Sequence, residues 1–511
     1  MPIPEAFIEE MKLLWQNYDL PGSFASFFDS LDQPQVRGIR ANGLKIDPQK
    51  LSEHLADIIL AYDQAKQSPR MVPWNDDGFY IQTDAAAGRL PAYHAGLFYI
   101  QEPSAMLPAK VLAAKPGEKI LDLCAAPGGK TARIAADLAG QGLLWANEIS
   151  ADRARALLRN IELMGCKNCI ISQETPERLA DMLSGFFDRI LVDAPCSGSG
   201  MFRRDNQAAA SWEKFGVEHC TLLQQDILTA ADKMLRPGGW LVYSTCSFSV
   251  AEDEAMISKF MLDHPEYILV EIQGPGLSPG IKYDGDEQLA GTARIWPHVA
   301  DDDGHFCALL QKCDQAEFEL TDYDTGRSIN SETRAATEHW LKWSEKILSQ
   351  KGQEEMKLLM EEWQPRLHNN HLQLLPPETP AFAGLKMVKT GFYLGHFKIS
   401  GRPDDRTRKN TGPNKSKNKL IFEPAHAWFT SMHADDFAYT LKLAANDEIL
   451  LRYLRGETIA VDTEDISVQA QKQPQSGDHI VICLEDYPLG YAKMQQGTLK
   501  NMYPAAWRLR T

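Results

Sequence analysis

Apolar positions change their period along this chain, and the change marks its parts. Between residues 100 and 312 short apolar runs alternate with stretches that repeat every three to four residues, the pattern of strands alternating with helices. "EKILDLC" reads as a strand, "AAPGGK" as a turn and "TARIAADLA" as a helix. The strand "GLLWANEI" and the helix "DRARALLRNIELMG" follow, then the strands "CIISQ" and "DRILVDA". "LLQQDILTAADKML" is a helix that "RPGG" stops, and Trp240 to Ser244 form the next buried strand. Ser249 and Glu252 have the spacing of a capping box, which predicts a helix opening near Val250. "RIWPH" and "GHFCALLQK" can add an antiparallel pair at the edge. The pattern predicts an α/β fold whose parallel, doubly wound sheet carries helices on both faces.

The flanks read differently. Residues 1–99 form a mixed α/β extension that opens on a helical stripe of Phe7, Met11, Leu14 and Trp15. Residues 313–384 read as a helical connector ending in the linker "LLPPETPAFAG", and residues 385–511 as a Gly-punctuated, strand-rich region. A chain of 511 residues has room for these several units.

Composition narrows the class. With 44% hydrophobic and 24% charged residues the chain is globular, and no apolar run approaches the roughly 18 residues of a membrane span. The acidic, helical start argues against a signal peptide and for a cytoplasmic location. Nine scattered cysteines read as reduced thiols. A formal charge of −16 disfavours nucleic acid as a whole, but a local basic face can still bind phosphates. Lys398 to Lys419, with eight Lys/Arg against two Asp, is one such stretch.

Candidate chemistry gathers at the carboxyl ends of the central strands, where open α/β sheets bind ligands. Asp122 ends one strand, and Gly128-Gly129 turn into a helix whose first N–H groups face an anionic ligand. Glu148 ends the next strand, nineteen residues after Gly129, where a carboxylate suits ribose hydroxyls. The G-x-G-x-x-G dinucleotide fingerprint is absent, and Cys124 stands where a P-loop needs glycine. The loop predicts a nucleoside-type cofactor. Asp193-Ala194-Pro195-Cys196 ends a later strand, and Cys246 lies past the end of another. Cys124, Cys220, Cys307, Cys313 and Cys483 fit ordinary structural thiols, and Cys166-x-x-Cys169, lacking a second pair, fits chance rather than zinc.

Two thiols at one ligand edge suit methylation of cytosine at carbon 5. A thiolate adds to carbon 6, carbon 5 takes the methyl group, and a second thiol can assist release. Asp193 can hydrogen-bond the N3/N4 edge of the base. These residues alone leave open which thiol attacks.

"RGIRANGLK", "QEPSAMLPA", "DLCAAPGGKT", "VDAPCSGSGMFRRD", "YSTCSFSVAEDE" and "RIWPH…DGHF" closely resemble motifs of the Sun/Fmu-type RNA cytosine-C5 methyltransferases, and among them the RsmF-like 16S ribosomal RNA enzymes. The resemblance spans about residues 37 to 310. It implies a Rossmann-like catalytic sheet over residues 100–312 with S-adenosylmethionine as cofactor. Cys124, Ala125, Ala126, Pro127, Gly128, Gly129, Lys130, Glu148 and Asp193 would line the cofactor site, with Thr175 in the adenine-contacting position that many relatives fill with Asp. Cys246 would attack, Cys196 would promote release, and Asp193 would serve at the base. "YLRGETI", "GDHIVICLEDYPLGYAKMQQGTLKN" and "YPAAWRLR" resemble a PUA-like module, which makes the basic stretch an RNA contact, with Arg37 and Arg40 adding one from the N-terminal extension. The implied partner is ribosomal RNA or the small ribosomal subunit, with no membrane and no metal. The same chemistry on 23S rRNA or tRNA, a P-loop-like nucleotidase, and a catalytically silent RNA-binding assembly factor are the alternatives. Intact Lys130, Asp193, Cys196 and Cys246 argue against silence, and Cys124 against the nucleotidase.

Overall fold

The computed structural model describes residues 3–55, 70–81, 86–204, 208–300, 302–314, 329–399 and 420–509. Near the amino end, β1 (Arg37–Ala41), β2 (Gly78–Ile81) and β3 (Phe98–Ile100) pair antiparallel in the order β2-β1-β3. The helix Glu5–Asn17 before them buries Phe7, Met11 and Leu14 of the expected stripe, with Trp15 partly buried beside them.

The expected parallel sheet begins at β4 (Lys119–Asp122). With β5 (Leu143–Asn147), β6 (Cys169–Ser172), β7 (Phe187–Asp193) and β8 (Leu235–Thr245) it forms the parallel order β8-β7-β4-β5-β6. Beyond β8 the sheet continues antiparallel through β9 (Tyr267–Val270), β10 (Ser278–Pro279), β11 (Ala293–Ile295) and β12 (His305–Lys312). Both faces are buried, so the strands carry apolar residues at successive positions. Ile120, Leu144, Ala146 and Leu191 pack on one face, and Leu121, Leu143, Trp145 and Ile190 on the other. The chain leaves β4 toward β5 and β6, then crosses back to β7. That reversal opens a crevice between the ends of β4 and β7, at Asp122 and Asp193.

Two local expectations change. A helix, Pro176–Met182, stands between β6 and β7 where the apolar pattern marked none. The connector is helical only over Ser331–Ser344 and Gln350–Glu362. β13 (Gln364–His368) and β14 (His371–Leu375) then form a hairpin across Asn369-Asn370, both at positive φ. After β15 (Met387–Lys389), which joins the edge of β6, this hairpin pairs with β16 (Phe392–Ile399) and β17 (Leu420–Pro424) in a four-stranded sheet.

β18 (Tyr439–Leu443), β19 (Ile459–Ala460), β20 (Ser467–Val468), β21 (His479–Leu484), β22 (Tyr487–Gln495) and β23 (Thr498–Asn501) make the last sheet. Its core is continuous with that of the N-terminal strands: Tyr453, Leu499 and Tyr503 share one cluster with Ile39, Leu97 and Phe98. No described helix is long and apolar enough to cross a membrane.

Candidate active site

The first loop of the site leaves β4 after Asp122. Gly128 takes φ +107° there, and a side chain would meet Leu157 Cδ1 at 3.0 Å, so glycine is required where the helix Gly129–Asp137 begins. The loop is held from outside: Arg153 Nη2 donates to Ala126 O at 2.7 Å and Asn160 Nδ2 to Pro127 O at 2.8 Å. Ala125 and Ala126 are buried behind it. Burial also pushes the Cys124 thiol up, which suits an unreactive packing role. Glu148, buried beyond the end of β5, accepts Ser150 N–H at 2.9 Å and lies 3.4 Å from Arg153 Nη1.

Asp122 Oδ2 accepts the Thr131 hydroxyl at 2.7 Å, while its Oδ1 is buried without a hydrogen-bond partner. Burial pushes this carboxyl up to about 7. A spare buried acceptor, a glycine turn at a helix start and an acid at the next strand end fit a nucleoside-type cofactor. Thr175 is not drawn into this group. It is exposed, and its hydroxyl caps the helix Pro176–Met182 by accepting Arg178 N–H at 3.4 Å.

The second half of the site lies at the ends of β7 and β8. Lys130 Nζ donates to Asp193 Oδ2 at 2.7 Å, and Ser244 Oγ to Asp193 Oδ1 at 2.9 Å. Burial alone would raise Asp193, but Lys130, His305 and these hydrogen bonds hold its carboxyl below the usual range. His305 Nε2 stands 3.8 Å from Asp193 Oδ1, and burial pushes that imidazole down to about 4. Cys196 and Cys246 are each partly exposed, and their sulfurs are 3.3 Å apart. Chain positions fifty residues distant are thus brought into one pair.

The expected capping box does not form. The helix opens at Glu254 with no side-chain cap, and Glu252 turns inward to the serines that follow the two cysteines. The aromatic stripe of the N-terminal helix supports the Cys246 loop from behind. Phe248 stacks on Trp296 with centroids 5.7 Å apart and meets Phe27 edge-on at 5.1 Å, in a cluster that includes Phe7. Arg294, fully buried, donates to Glu254 Oε1 at 2.7 Å and to Phe248 O at 3.2 Å. Sequence reasoning singled out neither Glu252's inward role nor this buried pair, although "YSTCSFSVAEDE" and "RIWPH" carried the residues.

On the substrate side Arg40 is corrected: it is buried and donates to Gln101 Oε1, so it cannot meet RNA. Arg37 instead lines a cleft of about 360 Å³ with Gln35, Arg89, Gln101 and Arg204. Arg204 belongs to the loop that follows Cys196 and pairs with Asp303 at 2.8 Å. The basic stretch from residue 400 to 419 lies outside the described residues. Among the described residues, Asp232, His264 and Glu266 could gather around a metal ion, but Lys312 Nζ already stands 2.7 Å from Asp232 Oδ1.

Fold and site together define a Rossmann-like methyltransferase domain. Its sequence matches the family model of 16S rRNA methyltransferase RsmB/F over residues 109–311, flanked by models for the N-terminal domain of RsmF over 3–103 and the RsmF PUA domain over 440–509. The chain belongs to this RsmB/F family. It is 33% identical to ribosomal RNA small subunit methyltransferase F of Erwinia tasmaniensis, over 60% of this chain and 63% of that protein's length. The protein of the same name from Salmonella typhi is 28% identical over 98% of this chain and 95% of its own. The crystal structure of NSun6 from Pyrococcus horikoshii with SFG superposes with a TM-score of 0.50 at 25% identity, covering 60% of this chain and 98% of that one.

Proposed function

We propose that this protein transfers a methyl group from S-adenosylmethionine to carbon 5 of a cytidine in RNA, with 16S ribosomal RNA, in the cytoplasm, as its substrate. The observation that carries the reading is the pair of thiols 3.3 Å apart beside the Lys130–Asp193 ion pair. Amine methylation would leave two thiols at the base without a task, whereas carbon-5 chemistry uses both.

The cofactor would lie against Cys124 to Lys130, with its ribose hydroxyls on Glu148 and the spare Asp122 oxygen within the same crevice. When bound, S-adenosylmethionine supplies an electrophilic methyl group. Cys246 as thiolate bonds to carbon 6 of cytosine, and the carbon 5–carbon 6 π pair moves onto carbon 5 and the ring. Asp193, kept ionised by Lys130, accepts a hydrogen bond from the N4 amino group, and Lys130, 2.7 Å from Asp193 Oδ2, sets a positive charge beside it. Once carbon 5 carries the methyl group, its proton passes to solvent water and the C–H bonding pair stays behind. That pair re-forms the double bond and expels the Cys246 thiolate, with Cys196 assisting from 3.3 Å. The arginine-lined cleft beside the Cys196 loop and the match to a PUA model support RNA as the bearer of the base.

Incubating the protein with small ribosomal subunits, or with naked 16S, 23S or transfer RNA, and labelled S-adenosylmethionine tests this reading. Label should appear in 5-methylcytidine after digestion to nucleosides, and in the 16S species. Label confined to an exocyclic amine, or no label, would remove the proposal; label in 23S or transfer RNA would move only its substrate.

A further inference from the structure

Glu252 is fully buried in the seam between the two cysteine loops. Its Oε1 accepts Ser197 N–H at 2.8 Å and Gln224 Nε2 at 3.1 Å, and its Oε2 accepts the hydroxyls of Ser197 and Ser247. Four donors facing it are the company of an ionised carboxylate. Ser197 follows Cys196 and Ser247 follows Cys246, so one side chain ties down the residue after each thiol. Gln224 Nε2 also donates to Pro195 O at 3.0 Å, fixing the residue before Cys196 to the same centre. The sulfurs are thereby held at 3.3 Å, a distance for one S–H···S hydrogen bond in which one sulfur keeps the proton.

The charges around the pair are unequal. Its hydrogen bond to Cys246, burial and the Glu252 charge all push the Cys196 thiol up. Lys130, paired with Asp193, faces Cys246 instead. Cys220, pushed up to about 11 by burial and Glu252, stands on the Glu252 side together with Glu10, Asp253 and Tyr243, each raised chiefly by burial, the Tyr243 hydroxyl donating to Glu252 O at 2.7 Å. Resting on the reading of Cys246 as the attacking thiol, we propose that Glu252 is the positioning residue that assigns the thiols their parts. It clamps both loops and keeps Cys196 as the S–H donor, so that Cys246 is the sulfur left to attack.

Iodoacetamide alkylation read by peptide mass spectrometry tests this without RNA or cofactor. In the unaltered protein Cys246 should react about tenfold or more faster than Cys196, since only the thiolate reacts. Equal rates overturn the proposal, and that measurement needs no variant. Glu252→Gln keeps the side chain's shape, and its amide can donate to the hydroxyls it formerly accepted, so the clamp persists while the charge is gone. The Cys246-to-Cys196 ratio should then fall about tenfold, the effect of one unit in thiol ionisation. In a Cys196→Ala background the same substitution should leave the Cys246 rate within about twofold, because the charge acts through Cys196. An unchanged ratio, or a Cys246 rate that falls equally in both backgrounds, overturns the assignment. Failure of the underlying reading is separate: Cys246→Ala would still methylate.

Discussion

Cys196 and Cys246 differ in their neighbours rather than in their exposure, and their substitutions should differ accordingly. Cys246→Ala should bind RNA without methylating it and give no covalent adduct. Cys196→Ala should attack and methylate but release poorly, giving a retarded protein–RNA band on a denaturing gel. The double variant must lose that band, because release stalls only after attack. A band in Cys246→Ala that vanishes in Cys196→Ala would reverse the two roles. Asp122 gives a second residue-scale prediction. Its folded carboxyl titrates near 7 against 3.8 for the ordinary group, so it favours the folded state when protonated. That contribution is fully present below the unfolded value and is lost as pH rises through the folded one. Without cofactor, the parent should therefore lose stability relative to Asp122→Asn between about pH 4 and pH 7, by up to roughly 4 kcal/mol. Denaturant melts of the two proteins at pH 5 and pH 8 that shift in parallel would rule this out.

At the scale of elements, the cysteine loops work because they pack backbone against backbone. Gly200 donates its N–H to Cys246 O at 2.8 Å, and a Cβ at Gly200 would also lie 2.8 Å from that oxygen and 3.3 Å from Gly304 O. Gly200→Ala must therefore part the loops, with backbone on both sides that cannot move aside cheaply. Stability should fall by about 1–3 kcal/mol, as in other overpacked sites. Methylation should fall further, by on the order of a hundredfold, since a displacement near 1 Å is enough. Activity that tracks stability alone would mean that the loops tolerate the shift. The strands beneath these loops were legible as apolar runs, and so was the glycine turn. The hairpin across Asn369-Asn370 was also within reach, because paired asparagines at positive φ are a hairpin feature.

Across the whole molecule, the N-terminal strands touch both ends of the chain's work. They share a core with the last sheet through Phe98 and Tyr503, and they present Tyr99 and Gln101 to the cofactor loop, where a Cβ on Gly129 would meet Tyr99 at 3.0 Å. The first residue of their middle strand, Arg37, lines the cleft shared with Arg89 and Arg204. Replacing Arg37 and Arg89 with alanine should weaken RNA binding and lower the log–log salt slope by roughly 0.7–0.9 for each phosphate no longer neutralised. Cofactor affinity should stay as it was. Binding isotherms at several salt concentrations that keep their slope would exclude the cleft from the RNA path. Arg40→Ala should cost stability instead, because its guanidinium is buried against Gln101.

Local order along the chain was enough to determine the alternating strands, the glycine turn after Asp122, and the placing of both cysteines past strand ends. Each depends on side-chain period or on backbone freedom within a few residues. Tertiary structure alone decided what Glu252 and Arg40 do. The Ser-x-x-Glu spacing at 249–252 is a valid local cap, but Ser197 and Gln224, remote in the chain, offer Glu252 donors in a buried seam. A buried carboxylate takes the partners that spare it desolvation, wherever in the chain they originate.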